Sequence, residues 1–181
     1  MSGSAVPASV VTGLVAAARE YLRVAGGVEA ALLARLAATA VTTAEAFCGQ
    51  ALFVRAHEDV LGVAPGWQRL RARPVTAIAG VTALPAGAAP FVLGVEAYAT
   101  DIDAGGDGWI RVTDAGAAKV AVSYSAGLAT DWAACPPALA QGCAMLVAHL
   151  FDARDGAALP PAAVAALWRP YRRMQLMEPV R

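Results

Sequence analysis

The sequence predicts an α+β fold: a small antiparallel helix bundle with an antiparallel β insertion between helices two and three, followed by a basic-apolar C-terminal tail. Three observations predict it. Apolar residues recur at helical spacing through the first fifty positions, the period changes to alternation from Ala51, and helical spacing returns after the Pro136, Pro137 pair. A length of 181 residues suits a single domain. Within it the segments are 1–50 (helical hairpin), 51–127 (β insertion), 136–169 (helices three and four) and 170–181 (tail).

Taken in order, Ser9 is placed to cap a first helix in which Val11, Leu14, Val15, Ala18, Tyr21 and Leu22 share a face, and Gly26 with Gly27 ends it. A second helix from Val28 to Cys48 aligns Leu32, Leu33, Leu36, Ala40, Ala44 and Phe47, with Gly49 as a left-handed stop. The short link makes the two helices antiparallel. Strands are expected at Leu52 to Glu58, Trp67 to Leu70, Ile78 to Leu84, Val95 to Thr100, Trp109 to Val112 and Lys119 to Tyr124, because β-branched and aromatic residues alternate with polar ones between Gly and Pro turns. A third helix runs from Pro137 to about Arg154 and ends at Gly156. Pro160 and Pro161 open a short fourth helix that reaches Trp168 before Pro170 breaks it.

Composition excludes several functions. Fourteen basic residues balance fourteen acidic ones, and Lys119 is the only lysine. Tight autonomous binding to nucleic acid needs surplus positive charge to displace phosphate counterions, and there is none. The balance is uneven locally, with six basic against eight acidic residues from 51 to 149 and five against three from 150 onward. Cys48, Cys135 and Cys143 match no metal or disulfide spacing and read as buried free thiols of a reducing compartment. The N-terminal apolar stretch lacks a basic region ahead of it, and Glu29, Arg35 and Glu45 interrupt the second, so neither a secretion signal nor a membrane anchor is expected.

Catalytic groups are scarce. His57 lies beside Glu58 and Asp59 on an expected strand and reads as part of a solvated polar edge; His149, on the third helix, reads as a structural histidine. Cys143 is six residues before His149, so the two do not share a helix face as a nucleophile and its base should. The segment from Asp101 to Gly108 has acids at alternate positions, but Val112 stands where a calcium loop needs a bidentate glutamate, and a glycine-rich hairpin turn explains the same residues. No phosphate loop or dinucleotide fingerprint occurs. No catalytic, metal or cofactor residue is therefore assigned, and no cofactor is expected. Trp67, Trp109, Trp132 and Trp168 fall near turns and helix ends, as core packing or as interface anchors. The tail alternates large apolar and cationic residues and reads either as a frayed terminus or as a docking segment.

The order of segments resembles the head-tail connector, or adaptor, family of tailed bacteriophages and phage-like gene transfer agents. Ala18, Arg19, Glu20, Tyr21, Leu22 and Arg23 with Leu32, Leu33 and Leu36 resemble its first helical hairpin, and Ala44 to Gln50 resembles the closing "AEAFTGQ", with Cys48 in place of the Thr. Arg73, Pro74, Val75 and Ile78 match a strand motif. Val122 to Gly127 matches "V-x-Y-x-A-G", and Leu146 to Arg154 resembles "LVAHLYEHR" with Ala153 departing from it. The resemblance implies a structural subunit without enzymatic activity. It implies a homo-oligomeric ring, usually dodecameric, beneath the portal protein, joined to a tail-side connector or stopper and lining a conduit for double-stranded DNA read without sequence specificity. Assembly would take place in the bacterial cytoplasm, without membrane contact, and the product would be the neck of the particle. It further implies that the C-terminal segment engages the portal, through Arg169, Tyr171, Arg172, Arg173, Met174, Leu176 and Met177. A small cytosolic enzyme or ligand-binding module using the β region, with His57 as its base, and a minor tail-completion protein remain alternatives.

Overall fold

The computed structural model describes residues 2–3, 5–24, 29–153 and 160–173. They fall into two compact units, residues 1–5 with 54–128, and residues 6–53 with 129–181. Among the described residues the second unit holds all the α-helices: α1 (Ala8–Leu22), α2 (Ala30–Cys48), α3 (Pro137–Asp152) and α4 (Ala162–Trp168), with a 3₁₀ turn over Arg169–Tyr171. The α+β class is as the periodicity predicts, and so is the placing of the strands between the second and third helices, apart from the two-residue strand Ser2–Gly3.

The helix ends obey local chemistry, with two departures. Ser9 does not cap α1; Pro7 occupies the cap position, and its carbonyl accepts from the Val10 and Val11 N–H groups at 3.0 and 3.1 Å. A proline there loses nothing, since the first N–H groups of a helix have no intrahelical partner. The helix ends at Arg23, which itself takes the left-handed conformation (φ 55°), whereas Gly26 and Gly27 lie outside the described residues. Gly49 does stop α2 as expected (φ 67°), its N–H bonded to the Glu45 carbonyl at 2.9 Å. Helix α3 starts at Pro137 and ends at Asp152; the expected terminator Gly156 is outside the described residues.

Helix α3 packs against α1, α2 and α4. Their shared core alternates large and small: Leu14, Leu33, Leu139, Leu146 and Trp168 are buried among Ala18, Ala37, Ala40 and Ala44. Alanines at helix contacts allow close approach, so alanine richness here is a packing device as well as a helix-favouring one. By length and composition α2 could cross a membrane, yet Leu33, Ala37, Ala40, Val41, Ala44 and Cys48 on it line this core.

Among its described residues the other unit is built of strands, with one 3₁₀ turn. Strands β1 (Ser2–Gly3), β2 (Arg55–Gly62), β4 (Val75–Ala83), β5 (Phe91–Val92) and β8 (Lys119–Ala126) form one antiparallel sheet in the order β1-β2-β8-β4-β5. Strands β3 (Gln68–Arg69), β6 (Tyr98–Ile102) and β7 (Gly108–Val112) form a second, in the order β3-β7-β6. The strand expected from Leu52 begins only at Arg55, because Leu52 and Phe53 are buried in the helical core. The start expected at Val95 is a 3₁₀ turn over Val95–Ala97, and β1 and β5, two residues each, carry too little pattern to foresee. The segment from Asp101 to Gly108 is part of a hairpin, with residues 103–107 as the turn between β6 and β7. Asp103 accepts from the Asp107 N–H and from Trp109 Nε1, both at 3.0 Å, so its carboxylate holds the turn closed.

Strand β8 explains the "V-x-Y-x-A-G" run. Val120, Val122, Tyr124 and Ala126 alternate and are all buried, and Gly127 donates its N–H to the Pro74 carbonyl at 2.8 Å. The Tyr124 hydroxyl donates to Asp59 at 2.9 Å and accepts the Ala72 N–H at 2.9 Å; Asp59 also accepts the Arg71 N–H at 2.7 Å. Asp59, expected on a solvated edge, is therefore buried (6% exposed) and ties the segment after β3 to the main sheet. Hydrogen bonds to a buried charged acceptor contribute more than neutral ones, and removing the acceptor strands both donors. We expect Asp59→Ala to destabilise the protein by about 2–3 kcal/mol and Tyr124→Phe by about 1 kcal/mol, read as shifts in the urea midpoint. Equal, negligible shifts would contradict the network.

Candidate functional site

The end of α2 and the C-terminal segment form one construction. Glu45 works twice: its carbonyl receives the Gly49 and Gln50 N–H groups at 2.9 and 3.3 Å, and its Oε1 accepts the Leu52 N–H at 2.9 Å. Gln50 Nε2 donates to the Tyr171 carbonyl at 2.8 Å, and the Arg173 N–H donates to the Cys48 carbonyl at 2.7 Å. The latter bond uses one of the carbonyls left open at the C-terminus of a helix. Phe47 meets the Trp168 ring at 5.8 Å and carries the Arg172 guanidinium at 5.7 Å from its centroid, a cation–π contact. Gly49 is required twice over, by its positive φ and because a Cβ there would approach the Arg173 carbonyl oxygen to 2.7 Å.

The Ala44–Gln50 motif is thus a socket for residues 168–173. Of the residues expected to dock, Arg169, Tyr171, Arg172 and Arg173 are described. Arg169, Arg172 and Arg173 are exposed, whereas Tyr171 is half-buried against the helical core. Met174, Leu176 and Met177 lie outside the described residues. Sequence reasoning matched the motif and the tail separately and did not join them. The available signal was the invitation of open helix carbonyls beside a glutamine and an aromatic.

All three cysteines are buried free thiols. Burial first, and then the nearby Glu45, pushes Cys48 up from near 9 to about 11; burial alone pushes Cys135 up to about 11. Cys143 is pushed up as well, by burial first. A thiol raised in the folded state adds stability that is intact below the unfolded value and is lost as pH climbs. The expected outcome is a thermal midpoint to which the thiols make no pH dependence below pH 8 and which falls between about pH 9 and 11. Persistence of full stability at pH 11 would contradict it. High thiol pKa values also make Cys143 a poor nucleophile. His57 pairs across the sheet with Tyr124 and stacks on its ring at 5.6 Å, a packing role.

No family model and no curated protein matches the chain. Solved structures do. Three neighbours each overlap 98% of this chain and 98% of their own. One is from the neck of an empty gene transfer agent (GTA) particle computed with C6 symmetry, with a TM-score of 0.77 and 24% identity. A second is from the virion of a native GTA particle, with a TM-score of 0.75 and 26% identity. The third is from the neck of a native GTA particle computed with C12 symmetry, with a TM-score of 0.74 and 26% identity. These findings support the resemblance read from the motifs: end to end, the chain is similar to components of gene transfer agent particles and their necks, which favours a structural neck or connector role. The rotational symmetry of those necks supports a homo-oligomeric ring.

Proposed function

We propose that copies of this chain form a twelvefold ring beneath the portal of a GTA or phage particle. The ring joins the capsid to a tail-side connector or stopper and surrounds the path of double-stranded DNA. The observation that carries this reading is the end-to-end likeness to neck subunits, one of them from a neck computed with C12 symmetry. The absence of surplus charge supports passage without retention, since no counterion release favours DNA staying bound.

In this reading the C-terminal segment is the portal-binding element, with Arg169, Arg172 and Arg173 presenting charge from a backbone fixed to α2 and Met174, Leu176 and Met177 supplying apolar contact. Fixing the segment up to Arg173 limits the ordering entropy left for docking, and repetition around a ring multiplies weak contacts. The test is co-sedimentation with purified portal rings. The full chain should bind, and the Arg172→Glu, Arg173→Glu double variant should bind at least tenfold more weakly. Undiminished binding by the double variant would count against the assignment.

A further inference from the structure

This inference rests on the ring reading and names the surfaces through which one copy meets the next. A closed ring of identical copies needs two different, complementary patches on every copy. The β unit has two flanks of opposite character. Strands β2 and β3, joined by residues 63–67, stand at one end of their respective sheets, with only the two-residue β1 beyond β2. Strands β5 and β6, joined through the 3₁₀ turn Val95–Ala97, stand at the other end of the same two sheets.

Charge separates between them. From Val60 to Arg73 the chain has three arginines and no acid; from Pro74 to Ile110 it has four acids and no basic residue. Some of this charge is spent internally, where Asp107 pairs with Arg73 at 3.4 Å and Arg69 at 3.7 Å and Asp103 closes its own turn. Arg71 remains exposed on the first flank, which also carries the exposed acid Glu58 of β2, and Glu96 and Asp101 are exposed on the second. Arg111 extends the basic flank by lying over the Trp67 ring at 5.2 Å.

Each flank also exposes large apolar side chains. Val60, Val63 and Trp67 are 49%, 38% and 44% exposed on the basic side. Phe91, Val92 and Val95 are 47%, 76% and 80% exposed on the acidic side. Exposed clusters of this kind rimmed by charge mark protein contacts. Opposite rims also fix which flank meets which, since like flanks repel.

We propose that the β5–β6 flank of one copy, centred on Phe91, Val92 and Val95, docks on the β2–β3 flank of a second copy, centred on Val60, Val63 and Trp67. Glu96 and Asp101 then face Arg71 and Arg111. The contact is head-to-tail, so each copy offers one flank and receives the other, and the series closes as a ring.

The test is cross-linking in assembled particles. A chain carrying both Val63→Cys and Val92→Cys, treated with a short bis-maleimide, should give a ladder of covalent multimers of this chain. Each single-cysteine variant should give no ladder, and the native cysteines are buried. Adding Glu96→Arg and Asp101→Arg should weaken the ladder at least fivefold, and further adding Arg71→Glu and Arg111→Glu should restore it. Copies present in the neck that give no ladder, or that link only to another protein, would overturn this pairing while leaving the ring reading intact. Absence of the chain from the neck would overturn the ring reading itself.

Discussion

Ending the chain after Arg173 is expected to yield particles with complete heads and no tails, from a protein whose melting temperature is unchanged. The structural reason lies in where the backbone is secured. Tyr171 and Arg173 bond to Gln50 and Cys48, so a chain ending after Arg173 keeps both of these bonds. It loses Met174, Leu176 and Met177, the apolar part of the proposed portal contact. Ending the chain before Arg169 is a different experiment, because it also removes two hydrogen bonds and the stacking of Arg172 on Phe47. That shorter chain should lose about 1–3 kcal/mol of stability. Tailed particles at normal yield from the chain ending after Arg173 would remove Met174, Leu176 and Met177 from the portal contact.

Replacing Trp168 by alanine should cost the helical unit about 3–5 kcal/mol, the largest effect on stability expected of any single change described above. Trp168 is 3% exposed at the end of α4. It packs on Phe47, donates from its indole to the Leu139 carbonyl at 3.4 Å, and accepts a weak bond at its own carbonyl from the Cys48 thiol at 4.0 Å. The indole lies against Gly142 in the middle of α3, where any Cβ would fall on the ring. A mid-helix glycine sacrifices about 1 kcal/mol of propensity relative to alanine, and close contact with the tryptophan is what it gains. Gly142→Ala should therefore destabilise the wild-type chain yet be neutral or stabilising once Trp168 is alanine. Denaturation of the four chains of this double-mutant cycle reads the coupling, and additive effects would show that the two residues do not constrain each other.

Much of the helical unit could be read from the sequence because its signals are local. Prolines 137 and 161 mark helix starts and Gly49 marks a stop, each through the conformations its own residue permits. Strand positions were visible for the same reason, through alternation, but their partners were not. Tyr124 and Asp59 are 65 residues apart in the chain, and nothing near either one announces the other. Asp59 was misread because an acid beside His57 and Glu58 suggests water. The alternation of β2 nevertheless puts it on the opposite face from exposed Glu58 and Val60.

The candidate site shows the same division. The Ala44–Gln50 motif and the basic-apolar segment were each evident, one as a family-like run and the other as a cluster of Arg, Tyr and Met. Their union depends on α4 returning the chain to the end of α2, a tertiary event. The charge separation between the β flanks was present in the sequence throughout. A net balance over 51–149 hid it, because three arginines and four acids in consecutive blocks nearly cancel. Only the strand order reveals that exposed Arg71 and exposed Glu96 and Asp101 belong to opposite ends of the sheets, while Asp107 pairs back onto Arg69 and Arg73.

The ring stands or falls on imaging, at side-chain resolution, the neck of particles assembled with this chain. Twelve copies are expected in one closed layer against the portal, each with its α2 socket occupied by its own residues 168–173. A neck without this chain, or a single copy placed off the axis, would contradict it.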